Sequence, residues 1–587
     1  MTLLCGCKSY IKNNETHVKY TFFLSSPLYN MEEQAKLEAY RKKDNIVPPV
    51  VYQTWHTKDM HYVWIEQFRA MKQVNSHIEF KLFTDDMCRE YIKDNFDAKI
   101  LWAYDTLAPT AYKADLWRYC VLYKEGGVYL DIKLLCYEID LLRKEEFLRI
   151  EDIPQPPCTE STLETYSDEK YYSKNILEPG IWQAVMATVA GNQILKQTID
   201  SVVDNVFNNY YGGNALCITG PTALCRVADR NNIPTGEMRL HKINFKDEYI
   251  HVLFHDVPIV KLIDYYRLYS NHNKSSNVDH LSIHYSSLWK KGLVFKPRRI
   301  APARVVSSNF SFNKHDNVLN ICDLSNGLYL VEKTKTKLSR IDDITLVSTD
   351  NVVSYMSLFN NRTKEHGYVL SSQCNNDCAI YGFTDPKVYR GSLIFNVKTN
   401  GEDFTIYVPS MNINNIKSWV HIKSNQLSFF NIRDQEYCVT KLSPHIEIAK
   451  FTKSSSNPLS EQKTVFYCKG VSHADWATNG INIGKDVWFL GRRTVRKRPR
   501  NLYKTPANNG KSTIIISYCY FWIVLDNSLS TVKRSCVFQP SSGAFHKVSG
   551  TSYDVKTNMI SIDATSYDNW SKTLVFSKDS FDNLVWF

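Results

Sequence analysis

Residues 108–133, APTAYKADLWRYCVLYKEGGVYLDIK, decide how the rest of the chain is read. They predict a helix, a two-glycine stop and a short strand. Asp115 and Arg118 stand three residues apart, so they share one helical face. Gly126-Gly127 ends the helix, because glycine takes the left-handed backbone that a helix C-terminus needs. From Val128 to Lys133 the pattern alternates. Val128, Leu130 and Ile132 point one way, and Tyr129, Asp131 and Lys133 the other. A carboxylate at a strand end, beside a helix with a second carboxylate and an arginine, can hold a charged ligand.

Working outward, Ile46 to Trp55 (IVPPVVYQTW) predicts a strand and Tyr62 to Val74 a helix at the 3.6-residue period. Ile78 to Phe83 alternates as a strand and stops at Thr84-Asp85-Asp86, a turn or helix cap, before a helix over Met87 to Asn95. Strand and helix in alternation predict an α/β domain with a largely parallel sheet. Ligands bind beyond the carboxyl ends of such strands, where Asp131 falls. Glu151 to Lys174 is Pro-, Ser- and acid-rich and reads as a long surface loop. Regular structure resumes at Ile181, with a helix near Gln193 to Val206. Thr219-Gly220-Pro221 reads as a tight turn opening another helix, since proline suits the first helical position. The domain closes near His284 to Lys290.

Beyond Pro302 helical periodicity stops. Short β-rich runs recur, punctuated by Asn, Gly, Ser and Asp, and predict an all-β region. A propeller and tandem sandwiches both fit, and no clean repeat separates them. The chain thus divides into a peripheral N-terminal extension (1–45), an α/β domain (46–300) and a β-rich region (301–587). Its Trp419, Trp476, Trp488, Trp570 and Trp586 read first as core aromatics, and second as faces on which sugar rings could stack.

A length of 587 residues suggests roughly two to four domains. With 43% hydrophobic and 22% charged residues the composition is that of an ordinary globular chain. Lys and Arg number 71 against 60 Asp and Glu, a net charge of +11. That mild excess suits nucleotide phosphates and does not single out nucleic acid. The basic run Arg492 to Arg500 reads as a solvated loop face. The start shows no signal peptide, and no run reaches the roughly 18 apolar residues of a spanning helix. Thr513 to Leu525 (TIIISYCYFWIVL) reads as buried strands. The 15 cysteines are odd in number and irregularly spaced, which predicts free thiols in a reducing compartment, the cytoplasm. Abundant Lys, Asn, Ile and Tyr suit an AT-rich genome, as in microbes or large DNA viruses. No Gly-x-Gly-x-x-Gly, Walker loop, Gly-x-Ser-x-Gly or paired Cys-x-x-Cys set is present, which weakens dehydrogenase, NTPase, hydrolase and zinc-module readings. His56, His61 and His77 are isolated and read as structural.

Alone, Asp131 would read as a capping or salt-bridging carboxylate. Its company is more specific. Ala111-x-x-x-Asp115-x-x-Arg118-Tyr119-x-x-Leu122-x-x-x-Gly126-Gly127-x-Tyr129-x-Asp131 resembles the signature of glycosyltransferases with an Asp-x-Asp sugar-binding region, the family 32 type. Tyr52-Gln53-Thr54-Trp55 resembles that family's opening His-Gln-Thr-Trp. Thr219-Gly220-Pro221 and His284…Trp289 resemble its later Thr-Gly-Pro and His…Gly-Ser-Trp elements. The resemblance covers roughly residues 46 to 290. It implies a GT-A, Rossmann-like domain and transfer of a sugar from a UDP- or GDP-sugar to a glycan or protein acceptor, with retention at the anomeric carbon. It implies that Tyr52 to Trp55 line the base. Asp115, Arg118, Tyr129, Gly220 and Pro221 would hold the donor, and Asp131 would contact ribose or metal, with His284 near the metal or diphosphate.

The departure lies at the centre. The family expects Asp at both ends of Asp-x-Asp, and this chain has Asp131-Ile132-Lys133. In one reading Asp131, His284 and water bind Mn²⁺ or Mg²⁺ and Lys133 adds a contact, with Asp85, Asp86, Glu138 or Asp140 as further ligand candidates. In another, the Lys133 ammonium takes over part of the cation's charge on the departing diphosphate. In a third, the chain is a catalytically silent carbohydrate-binding or scaffold protein. A glycoside hydrolase would instead need two carboxylates facing a sugar. The candidate catalytic residues are Asp115, Asp131 and Lys133. No feature of the sequence specifies an oligomeric state.

Overall fold

The computed structural model describes residues 3–12, 15–24, 31–57, 62–136, 138–150, 180–234, 236–243, 249–254, 257–262, 284–296, 298–311, 318–323, 328–334, 338–341, 344–348, 354–360, 365–368, 380–390, 392–399, 404–408, 420–422, 427–453, 458–467, 474–497, 513–541, 545–566 and 570–587. The chain divides into two compact units, one of residues 1–203 and 211–294, the other of 204–210 and 295–587.

The first unit opens with an antiparallel pair, β1 (Leu3–Lys12) and β2 (Glu15–Leu24), and helix α1 (Met31–Arg41). There follow β3 (Val50–Thr54), α2 (Tyr62–Val74), β4 (Glu79–Phe83), α3 (Asp85–Asn95), α4 (Ala98–Thr106), α5 (Thr110–Glu125) and β5 (Gly127–Leu130). β6 (Leu134–Cys136) and β7 (Val185–Thr188) come next, then the helix Gln193–Phe207, whose residues from Asp204 on belong to the second unit, and the helix Pro221–Arg230. The central sheet runs β4-β3-β5-β7. β3 pairs in parallel with β4 and β5, placing Tyr52 beside Tyr129, while β7 runs antiparallel to β5. A second, antiparallel sheet joins β6 to β8 (Met238–Ile243), β9 (Tyr249–Phe254) and β10 (Val257–Leu262). The two sheets share one apolar core that includes Val51, Val128, Leu130, Leu134, Ala187 and Val260.

Three local signals build the part that carries the site. Thr84 caps α3, its hydroxyl accepting from Met87 N at 3.4 Å, and Asp85 and Asp86 favour that helix's first turn. Asp97 caps α4 through Lys99 N and Ile100 N. α5 is buried from Leu116 to Leu122 as well as at Tyr112 and Asp115. A helix covered on all sides is a central helix, and Asp115 and Arg118 are therefore inside the domain.

The structure changes several expectations. The strand after Gly126-Gly127 ends at Leu130, not Lys133; residues 131–133 form a turn closed by Leu134 N donating to the Asp131 carbonyl at 2.9 Å. Helix α1 is not peripheral. Leu37 and Tyr40 are buried, Tyr40 hydroxyl donates to Glu145 at 3.0 Å, and Arg41 forks onto Glu138 at 2.8 and 2.9 Å. Leu37 and Tyr40 are three apart, so a mostly polar helix still offers one apolar stripe. The loop 151–174 and His61 lie outside the described residues. No described helix is long and apolar enough to cross a membrane.

In the second unit the described strands form separate sheets, antiparallel except where Arg298–Ile300 pairs in parallel with Phe538–Pro540. One groups Arg304–Ser311 with Phe545–Asp554, Met559–Ser566 and Trp570–Ser577, joining strands from both ends of the unit's sequence. Two more are four-stranded meanders over 380–422 and 428–465, and another joins Val318–Asp323, Leu328–Thr334, Ser354–Asn360 and Glu365–Tyr368, the intervening strands Leu338–Ile341 and Ile344–Ser348 going to a fifth sheet. A nine-stranded sheet is built on the long pair Asp486–Lys497 and Thr513–Asp526. Thr513 to Leu525 is thus one strand, buried from Tyr520 to Leu525. Arg492 to Lys497 is strand rather than a solvated loop, and Arg492 is buried over the Trp476 ring at 4.9 Å. Trp476 and Trp488 are buried, whereas Trp419 lies outside the described residues. Arg534 is buried between Phe521 at 3.7 Å and Phe207 at 4.6 Å, and burial holds its guanidinium down at about 9.

Gly127 has φ +106°, and a Cβ there would stand 2.7 Å from Val50 Cγ1 and 2.9 Å from Val50 O. Gly191 has φ +75°, and a Cβ there would meet nothing within 4 Å. Gly191→Ala should therefore cost only the backbone strain, about 1 kcal/mol, while Gly127→Ala should cost several times that by splitting β3 from β5. Thermal unfolding of both variants checks the order; equal losses would show that the close approach of β3 does not matter.

Candidate functional site

Beyond the carboxyl end of β5 four charged side chains come together. Arg118, rising from α5, is the hub. Its Nη2 lies 3.3 Å from Asp115 Oδ1 and its Nη1 3.6 Å from Asp131 Oδ1. The Nη1 group also donates to the Gln183 carbonyl at 2.7 Å. The guanidinium lies over the Tyr129 ring, 4.2 Å from its centroid. Lys133 Nζ stands 3.6 Å from the other oxygen of Asp131, Oδ2. Arg118 and Asp115 expose 7% and 9% of their side chains, Asp131 22% and Lys133 48%. The solvent-facing part of the cluster is thus Asp131 and Lys133, with the Asp115–Arg118 pair as the wall behind.

That wall is tied down by groups distant in sequence. Gln183, just before β7, donates its amide N–H to Asp115 Oδ1 and accepts at Oε1 from the Tyr119 hydroxyl. Thr219 donates its hydroxyl to Asp115 Oδ2 at 2.8 Å, and its carbonyl stands 2.8 Å from the Tyr119 hydroxyl. Thr219 is held there by Gly220, which begins helix Pro221–Arg230 with proline in its first turn.

Burial pushes the Asp115 carboxyl up to about 6, against the opposing pull of Arg118 and the Thr219 hydrogen bond. Burial alone would pull the Arg118 guanidinium down, but Tyr129, Asp115 and Asp131 outweigh it and raise it. Burial also holds the Tyr119 and Tyr129 hydroxyls well above their ordinary value. Tyr129 therefore stays a donor, and it donates to Asp131 Oδ1 at 2.9 Å.

The structure brings Asp115, Arg118, Tyr129, Asp131 and Lys133 into one cluster, with Gly220 and Pro221 shaping its wall. It does not bring in every expected member. Tyr52 is buried beside Phe83, and its ring leans over Gly127 at the start of β5, away from Asp131. Burial, then Glu125 and Glu79, push its hydroxyl up to about 12. Gln53 is buried with Oε1 unpartnered, and Thr54 meets Cys88 Sγ at 3.4 Å. Trp55 is partly exposed at the strand end, its ring 4.5 Å from that of His56. His284 caps the helix Tyr285–Lys291, with Nδ1 2.7 Å from Ser286 Oγ and 3.3 Å from Ser286 N.

Sequence reasoning missed Gln183 and the side chain of Thr219. Gln183 is a neutral amide in an apolar run, 65 positions from Arg118, and carried no signal. Thr219 did carry one, as the first residue of Thr-Gly-Pro.

Residues 61–147 match the family model described as a glycosyltransferase sugar-binding region containing a DXD motif. Inositol phosphoceramide mannosyltransferase 3 of Schizosaccharomyces pombe is 29% identical over 117 residues, 20% of this chain and 33% of that protein. A mannosyl phosphorylinositol ceramide synthase of Saccharomyces cerevisiae is 25% identical over 169 residues, 26% of this chain and 42% of that one. The chain spans well under half the length of these relatives. Among solved structures, PaToxG glycosyltransferase is 13% identical with a TM-score of 0.23, covering 34% of this chain and 76% of that one, a likeness too weak to carry an argument. The chain therefore carries a glycosyltransferase sugar-binding region. Asp115, Arg118, Tyr129, Asp131 and Lys133 lie within the matched residues, whereas Gln183 and Thr219 lie outside them.

A carboxyl raised from 3.8 to about 6 stabilises the fold below its unfolded pKa and loses that contribution as pH rises through its folded value. The shift corresponds to about 3 kcal/mol. Asp115→Asn keeps the shape and removes the titration. As pH rises from about 4 to about 6 the thermal midpoint of the variant should gain on that of the wild type; a constant gap would show that Asp115 does not titrate there.

Proposed function

We propose that the protein is an active glycosyltransferase of the GT-A type that moves a sugar from a nucleotide-diphospho-sugar to a glycan or protein acceptor. The observation that carries this reading is the charged cluster of Asp115, Arg118, Asp131 and Lys133 beyond the end of β5, inside the matched sugar-binding region. Asp131, partly exposed and oriented by Tyr129, is placed to accept hydrogen bonds from donor hydroxyls. Arg118 fixes that carboxylate and, with Asp115, forms a rigid wall for the sugar. In the transfer step the bond from the anomeric carbon to the diphosphate breaks, and its electron pair leaves on the phosphate oxygen. The acceptor oxygen bonds that carbon from the same face and gives its proton to the departing oxygen, so configuration is retained. The second unit, with its four-stranded meanders and a sheet joining both ends of its sequence, fits a β-propeller. The mannosyltransferase relatives put a mannose-bearing nucleotide first among the donors to test.

A second reading, a silent carbohydrate-binding protein, draws on the near-closure of Asp115 and Arg118 and on Lys133. Full-length protein with UDP- and GDP-sugars, Mn²⁺ present throughout, separates the two. Turnover that falls about 100-fold or more in Asp131→Asn supports the transferase. Glycan binding by calorimetry, with no turnover of any donor, would leave the binding protein.

A further inference from the structure

We infer that the donor site works without a divalent cation, the Lys133 ammonium neutralising the diphosphate in its place. This rests on the transferase reading above and makes it specific about how the leaving group is held.

The donor set does not fit the metal that the family resemblance implies. Divalent cations such as Mg²⁺ take about six oxygen ligands, usually one or two of them carboxylates. Asp131 is the one partly exposed carboxylate of the cluster, and both its oxygens already face cations. Oδ1 accepts from Tyr129 at 2.9 Å and lies 3.6 Å from Arg118, while Oδ2 lies 3.6 Å from Lys133. A cation bound to either oxygen at about 2 Å would sit beside a positively charged side chain. The other candidate carboxylates are committed elsewhere. Asp115 is walled in by Gln183, Thr219 and Arg118. Glu138 holds Arg41, Asp140 holds Arg143 and His77, and Asp85 and Asp86 form the first turn of α3. His284 caps its own helix, and no described contact joins it to Asp131. Among the described residues no three His, Cys, Asp or Glu side chains come together to hold a metal ion.

Lys133 has the properties the alternative needs. It follows Asp131 in the turn closed by Leu134, half its side chain is exposed, and its contact to Asp131 is a loose 3.6 Å. An ammonium on a flexible stem is a mobile point charge that suits phosphate oxygens. With donor bound it can leave Asp131 Oδ2 for the diphosphate, freeing that oxygen for a sugar or ribose hydroxyl. It meets the negative charge that grows as the carbon–oxygen bond breaks.

Calorimetry with GDP and UDP, in EDTA and then with Mn²⁺, tests the inference without needing an acceptor. The expected result is equal affinity in both solutions for at least one nucleotide. Lys133→Met should weaken diphosphate binding about 10- to 100-fold, the weight of one charge-assisted contact, while binding of the corresponding monophosphate changes little. Lys133→Arg should restore most of the loss. The turnover assay run in EDTA should match that in Mn²⁺ within about twofold, whereas Lys133→Asp should turn over only with Mn²⁺. Diphosphate binding that requires Mn²⁺, or is unchanged in Lys133→Met, overturns the inference and leaves the transferase reading intact. Binding of neither nucleotide in either solution overturns both.

Discussion

A guanidinium placed inside a protein must find partners, because a buried unpaired charge costs far more than an exposed one. Arg118 meets that demand with two carboxylates, two backbone carbonyls and an aromatic face. These partners come from four pieces of chain: Asp115 and the Ala114 carbonyl from its own helix, Tyr129 from β5, Asp131 from the turn beyond it, and the carbonyl of Gln183 from the segment before β7. Satisfying one side chain thus fixes the relative positions of α5, β5 and β7, and the site lies where those three meet.

The two-glycine stop makes the meeting possible. Gly126 and Gly127 both have positive φ, and each is pressed against backbone atoms that a Cβ would strike, those of Ala190 and Val50. The chain can therefore reverse from α5 into β5 within two residues. β5 is then drawn tightly against β3, and Tyr129 falls beneath Arg118. Without that reversal the helix face carrying Asp115 and Arg118 and the strand end carrying Asp131 would not meet. The same closeness explains Tyr52. Parallel to Tyr129 in register, it packs over the start of β5 and is buried there.

The electrostatics of the cluster grade outward from the core. Asp115 and Arg118 are nearly closed and saturated by protein partners, Asp131 is partly open, and Lys133 is half exposed. The inner pair supplies rigidity and the outer pair supplies contact. A rigid charged wall with one half-exposed cation at its rim is an arrangement suited to an anionic ligand.

Local chemistry was legible in the sequence. The helix, its glycine stop, the strand after it, the Thr84 and Gly220-Pro221 helix starts, and the change from α/β to all-β character all depend on neighbours in the chain. So did the shared face of Asp115 and Arg118, which one turn of helix dictates. Periodicity failed wherever a long-range partner decided the outcome. Leu37 and Tyr40 give a polar helix just enough apolar surface to be buried, and Arg492 gains a place on Trp476. Gln183 shows the limit most plainly. An amide in an apolar run acquires its role only when folding sets it against Asp115 and Tyr119, more than 60 positions away. The sequence by itself determined which charges this protein has and which share a face. Only the tertiary structure decided which of them are buried and which reach solvent, because burial is a property of the surrounding elements and not of the residue.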